Sequence, residues 1–194
     1  MLKTLTVIVA ILGIVALSHF AEAQDLLTQG RQALAAGKID DAIALFEKAV
    51  AADAANPAAL AELGGAQVRK APKVPLFERP GWVQKGFRTL DEAVERFPDA
   101  FVVYVVRGIS AASVPDLFNK TTVAVKDLDR VVAMKDQTPA AVPDSVMPAV
   151  YLNFGRALKK NGQLGEARAA WEKGKTLYPA APETPAIETE LRSL

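Results

Sequence analysis

The 194-residue sequence contains no cysteine and one histidine, His19. Without thiols there are no disulfide staples, no thiolate nucleophile and no cysteine set for zinc, so the fold is held by packing alone. His19 lies in an N-terminal segment that reads as a removable leader. Beyond it the chain also lacks imidazole, the commonest general base and metal ligand at neutral pH, which argues against most hydrolase and metal chemistry. Charge of one sign is equally scarce: 23 Lys and Arg face 22 Asp and Glu, a net charge of +1. That balance excludes the strongly basic character of domains that bind nucleic acid in bulk. A bilayer-spanning run is also missing, since the apolar stretch from Leu5 to Leu17 is 13 residues and a span needs about 20.

Lys3 precedes that stretch and Ala21-Glu22-Ala23 follows it in the small-x-small form of a signal-peptidase site. Residues 1–23 therefore read as a cleaved secretory signal, with an uncleaved membrane anchor as the competing reading. Lipid attachment is out, because no cysteine follows. Export, most simply to a bacterial periplasm, is the expectation; secretion or N-terminal anchoring are the alternatives. The remaining 24–194 is one domain's length and enough to bury a core. Its net charge is unchanged, since the leader removes one charge of each sign, Lys3 and Glu22.

What the chain does have is a recurrence of small residues. Gly30 and Gly64 stand 34 residues apart. Toward the end, Tyr151, Phe154, Gly155 and Leu158 precede Gly162, and Ala167, Trp171, Gly174 and Pro179 follow it at helical spacing. Near the start, Leu26, Gly30 and Ala33 precede Gly37, and Ala42, Phe46 and Ala49 follow it. This alternation of large and small positions on a 34-residue unit resembles the tetratricopeptide repeat family. The resemblance covers essentially the whole of 24–194.

The resemblance implies an all-α fold, a tetratricopeptide-like solenoid of about four helix hairpins plus a C-terminal capping helix. The repeats fall at about 24–56, 57–99, 100–137 and 145–180 of a single domain. The first ends at Ala54 instead of the usual proline, and Pro57 opens the next helix, where its missing amide hydrogen costs little. The second matches at Leu60, Leu63 and Gly64, then at Gly86, Leu90, Ala93 and Pro98 after ten inserted residues. Pro72, Pro75 and Pro80 forbid a continuous helix there, so about 69–82 is expected to be an irregular loop. In the third repeat Tyr104, Gly108, Ala124, Leu128 and Val131 fit after four more inserted residues between Val114 and Lys120. Its valine run, Val102 to Val106, favours strand by propensity, yet the frame predicts helix. Ile187, Leu191 and Leu194 mark the capping helix, about 183–193.

In the family, set positions of each first helix line a concave groove for peptides or other ligands. Carried over, these are Leu27, Arg31 and Leu34, then Ala61, Gly65, Val68 and Arg69. They continue as Val102, Val105, Ile109 and Ser113, and end as Leu152, Arg156, Lys159 and Lys160. Such a lining has an apolar middle and cationic ends and would suit an extended apolar segment bearing a carboxylate. The competing reading is ordinary solvated cations around core valines. The family's carboxylate clamp does not carry over: Asn153 is comparable, but Arg31, Gly65 and Ala61 occupy the other places. Phe77 and Trp82 on the inserted loop are candidate contacts; the plainer reading packs Trp82 over the following helix and Phe77 onto the body.

Lookalikes of catalytic motifs dissolve on inspection. Gly108-Ile109-Ser110 begins like a nucleophile elbow, but Ala112 replaces its last glycine, no histidine remains to activate the serine, and nothing in the sequence brings Lys120 to it. Gly37-Lys38 lacks the spacing and the hydroxyl residue of a phosphate loop, and Asp40-Asp41 suits the first turn of a helix. No cofactor, metal site or catalytic residue is expected. The function implied is a non-enzymatic adaptor or scaffold for a protein or peptide partner. One alternative is a carrier of a small apolar ligand, associated with a transporter, should Val102, Val105 and Ile109 enclose a cavity; another is an enzyme, which would require convergent carboxylates of shifted protonation in a cleft.

Overall fold

The structure is a computed structural model and describes residues 21–194. The expected leader, up to residue 20, lies outside the described residues. Within them the chain is all-α, without a strand, and no helix is long and apolar enough to cross a membrane. Contacts divide the chain into two compact units, the first ending at Arg96 and the second running from Phe97 to Leu194.

In the first unit, α1 (residues 21–35) ends at Gly37, which takes the left-handed φ of 74°. Gly37 donates its amide to Leu34 O and Lys38 donates to Ala33 O. This bond pair is the one that lets a glycine close a helix and satisfy its last carbonyls. The chain re-enters as α2 (Ile39–Ala52), whose Ala42, Ile43, Phe46 and Ala49 are buried at helical spacing. Phe46 lies against Gly30, where an added Cβ would sit 2.7 Å from the ring's Cδ1. Asn56 caps α3 (Pro57–Lys70), its Oδ1 accepting from the amides of Ala58 and Ala59 at 3.0 and 3.2 Å. Pro57 opens that helix as expected.

Helix α3 meets α4 (Arg79–Arg96) at backbone distance. A Cβ on Gly86 would stand 2.5 Å from Val68 Cγ2 and 2.8 Å from both Gly64 O and Val68 N, and the two backbone atoms cannot move aside as a side-chain end could. The loop between these helices is shorter than the sequence suggests. Residues 71–73 form a 3-10 turn and α4 begins at Arg79, so Arg69 and Trp82 belong to helices. The prolines explain the difference. Pro72 and Pro80 sit in the first turns of their elements, where no intrahelical amide is required of them.

The second unit opens with α5 (Phe101–Ser113). Its valine run is helical: the buried residues group as 103–105, 108 and 110–112, clusters about a helical turn apart, whereas a strand would bury every second residue. Leu128 of α6 (Thr121–Gln137) covers Gly108. Helix α7 (Met147–Lys160) ends on Gly162, φ 80°, with the same bond pair as at Gly37: Gly162 to Lys159 O and Gln163 to Leu158 O. On α8 (Leu164–Leu177) the fully buried Trp171 lies over Gly155 and donates its indole N–H to Leu152 O at 3.0 Å. Helix α9 (Thr184–Arg192) packs on α8 and α7, burying Ile187 beside Gly174. It is the capping helix.

Candidate functional site

The carried-over positions fall on the first helices of the hairpins, α1 and α3 in one unit, α5 and α7 in the other. In the first unit Leu27, Ala61, Gly65 and Val68 are buried, and Leu34 is half-buried against the cluster around Phe46. Arg31 donates its Nε to Glu62 Oε1 at 2.9 Å. Arg69 is exposed. The apolar members there are core, and the cations form its edge.

In the second unit Val105 and Leu152 are buried, Val102 and Ile109 are half-buried, and Ser113 is exposed. The three cations of α7 are already engaged. Arg156 Nε donates to Glu190 Oε1 of α9 at 2.7 Å, and Lys159 Nζ reaches Glu190 Oε2 at 3.5 Å and Ser193 Oγ at 2.8 Å. Lys160 Nζ donates to Ala112 O and Val114 O at the end of α5, where a cation meets the negative pole of the helix. The first two thus already hold a carboxylate, supplied by the cap, while the third fastens α7 to α5.

The inserted segment separates its two aromatics. Trp82 packs against the first unit's core, with Lys85 Nζ 5.2 Å from its ring centroid. Phe77 does not fold back onto the body: it is 83% exposed, beside Leu76 at 75%. The turn that holds them closes through Glu78 N–H to Pro75 O and Arg79 Nε to Val74 O.

Two features of the second unit lie beyond the first-helix positions. One is a bidentate pair: Arg107 of α5 donates from Nε and Nη2 to Asp127 of α6 at 2.7 and 2.9 Å, and Asp127 is 1% exposed. The other is a 520 Å³ cleft with Tyr151, Phe154 and Leu158 of α7 as its floor. Val125 and Val132 of α6 form one wall, Ala169 and Ala170 of α8 the other. In sequence Arg107 and Asp127 look like ordinary surface charges. The only available signal is their placement, one beside Gly108 and the other beside Leu128, two residues that meet between α5 and α6.

A polar network starts at Lys173 and Tyr151 of the cleft and runs on to Tyr178 and Asp144 outside it. Lys173 donates to both carboxylate oxygens of Asp136 at 3.0 and 2.8 Å and lies 5.7 Å from the Tyr151 ring centroid. The bond to Asp136 raises the Lys173 pKa, and burial raises that of Tyr151. Tyr178 donates to Asp144 Oδ1 at 2.9 Å and is pushed up to about 12, first by burial and then by that bond. Lys135 pairs with Asp144 at 2.9 Å, and its hydrogen bond holds that carboxyl below the usual range. All four shifts move the groups away from neutrality, so they act as fixed charges and neutral donors; a proton-transfer catalyst needs a pKa near working pH. Among the described residues no group of three or more His, Cys, Asp or Glu is placed to hold a metal ion.

No family model matches the chain, and no curated protein matches it at a significant level. Solved structures do. The nearly identical TPR-like repeats of a kinesin light chain from Podosopora anserina align with a TM-score of 0.60 at 21% identity, over 89% of this chain and 84% of that one. A MamA variant aligns at 0.54 and 23%, over 86% of this chain and 84% of that one. A thermophilic TPR protein of Thermus thermophilus aligns at 0.53 and 19%, over 89% of this chain and the whole of that one. At these identities the likeness is one of fold, and the fold is tetratricopeptide-like.

Proposed function

We propose that this chain is a non-enzymatic interaction scaffold of the cell envelope, holding a partner's peptide or protein segment against the faces of its first helices. The observation that carries the reading is on α5 and α7. Half-buried Val102 and Ile109 stand on one helix, and its neighbour carries Arg156 and Lys159, which already hold the Glu190 carboxylate. Apolar surface beside a cation pair that grips a carboxylate suits a short apolar segment with an acidic group. Binding would be passive, because rigid hairpins present the face without ordering cost to the scaffold.

A photo-crosslinking residue at Ile109, with one at the exposed Glu172 of α8 as control, tests this in the native envelope. The expected result is a discrete adduct from position 109, absent from 172 and diminished by Arg156→Glu. Identical adducts from both positions, or none from 109, would overturn it.

A further inference from the structure

Two unsatisfied surfaces of this molecule match each other. The first is the tip of the inserted turn, where Leu76 and Phe77 project into solvent. Pro75 and the two hydrogen bonds across the base fix the tip in shape, so little freedom remains to be lost on docking. The second is the cleft over α7, where Phe154, Val125 and Val132 are half-buried and whose 520 Å³ falls within the range of about 300–1,000 Å³ typical of binding sites.

Charge supplies the register. The tip continues directly into Glu78 and Arg79, an acid followed by a base. The cleft rim carries Lys126 and Asp129, three residues apart on α6, with Glu166 opposite on α8. Three helical residues rise about 4.5 Å, a separation that lets neighbouring charges of an incoming turn meet neighbouring charges of the rim. Lys126, Asp129 and Glu166 form no ion pair among the described residues.

From this complementarity we infer that a second copy of this chain fills the cleft: Leu76 and Phe77 of one copy seat on Phe154, Val125 and Val132 of the next, with Glu78 facing Lys126 and Arg79 facing Asp129. The donor and acceptor surfaces differ, so the contact is heterologous. Each added copy leaves one free tip and one free cleft, and assembly proceeds head to tail into a ring or an open chain. This association uses surfaces separate from the α5 and α7 faces, so it stands or falls independently of the partner proposed above.

Sedimentation velocity of the purified chain over a concentration series reads the outcome. The expected result is a rise in mean mass with concentration. Leu76→Ser/Phe77→Ser removes the tip, and Ala169→Arg blocks the cleft at an exposed alanine; neither touches the core, and each alone is expected to be monomeric. Mixed in equal amounts, they retain one working tip and one working cleft and should form a discrete dimer and nothing larger. Lys126→Glu should weaken association by about tenfold, as loss of a close interfacial charge pair does, with recovery when Glu78→Lys is introduced in the same chain, since the turn uses only the backbone amide of Glu78. The inference is overturned if the wild-type chain stays monomeric throughout, if association survives both blocking variants, or if the mixture stays monomeric. It is overturned also if the tip instead drives a monomeric chain onto anionic phospholipid vesicles and Leu76→Ser/Phe77→Ser abolishes that binding.

Discussion

The two units use the same hairpin and close it by different means. In the first, α3 and α4 approach until Gly64 and Gly86 touch through backbone atoms. In the second, α5 and α6 are pinned by the bidentate Arg107–Asp127 pair, and α7 and α8 by the Trp171 indole over Gly155. A backbone contact is limited by size alone and fails when an atom is added. A buried ion pair is limited by charge and fails when one partner is removed, because the survivor is left desolvated. Both devices are internal to their hairpins and use neither Val102 nor Ile109 nor the Leu76–Phe77 tip.

The largest expected effect is in the second unit. Arg107→Ala strands the buried Asp127 carboxylate and should cost about 3–5 kcal/mol in a denaturant titration. Arg107→Met together with Asp127→Leu removes both charges and should recover most of that loss. In the first unit, Gly86→Ala forces a methyl onto Gly64 O and Val68 N and should cost about 1–3 kcal/mol. Gly81→Ala on the same helix meets nothing within 4 Å and should be neutral or stabilising by up to about 1 kcal/mol. If the two glycine substitutions behaved alike, the close approach of α3 and α4 would not be the cause.

A third contrast is with pH. All three tyrosines, Tyr104, Tyr151 and Tyr178, lie in the second unit. Tyr178 keeps its proton up to about 12 when folded, whereas an unfolded tyrosine loses it near 10. Its contribution is therefore fully present below the unfolded value and is lost as pH rises through the folded one, because the unfolded chain releases its proton first. Tyrosinate absorbance should rise late in the native chain, and Tyr178→Phe should remove the latest step. The smallest effect is expected at the cap. Arg156 and Glu190 are partly exposed, so Glu190→Ala should change stability by less than about 1 kcal/mol, while freeing Arg156 and Lys159 for an external carboxylate.

The helix hairpins were legible because their contacts have a spacing signature. Gly30 with Phe46 and Gly155 with Trp171 pair a vacancy with the ring that fills it, and Gly37 and Gly162 mark the turns by the backbone only glycine adopts easily. The limits of the inserted loop are not legible in sequence, because a proline in a first turn, as at Pro72 and Pro80, looks the same as one that breaks a helix. Phe77 was harder still, since exposure depends on whether the surrounding body reaches it. Likewise, the Arg107–Asp127 pair and the cleft over α7 arise from helices brought together across some 20 to 50 residues, and no local pattern marks such meetings.

The claim that each hairpin is held from within is tested most directly by native-state hydrogen exchange, followed helix by helix in Gly86→Ala and Arg107→Ala. The account predicts that the greatest loss of protection falls on α3 and α4 in the first variant and on α5 and α6 in the second. Greatest loss in the same helices for both variants would contradict it.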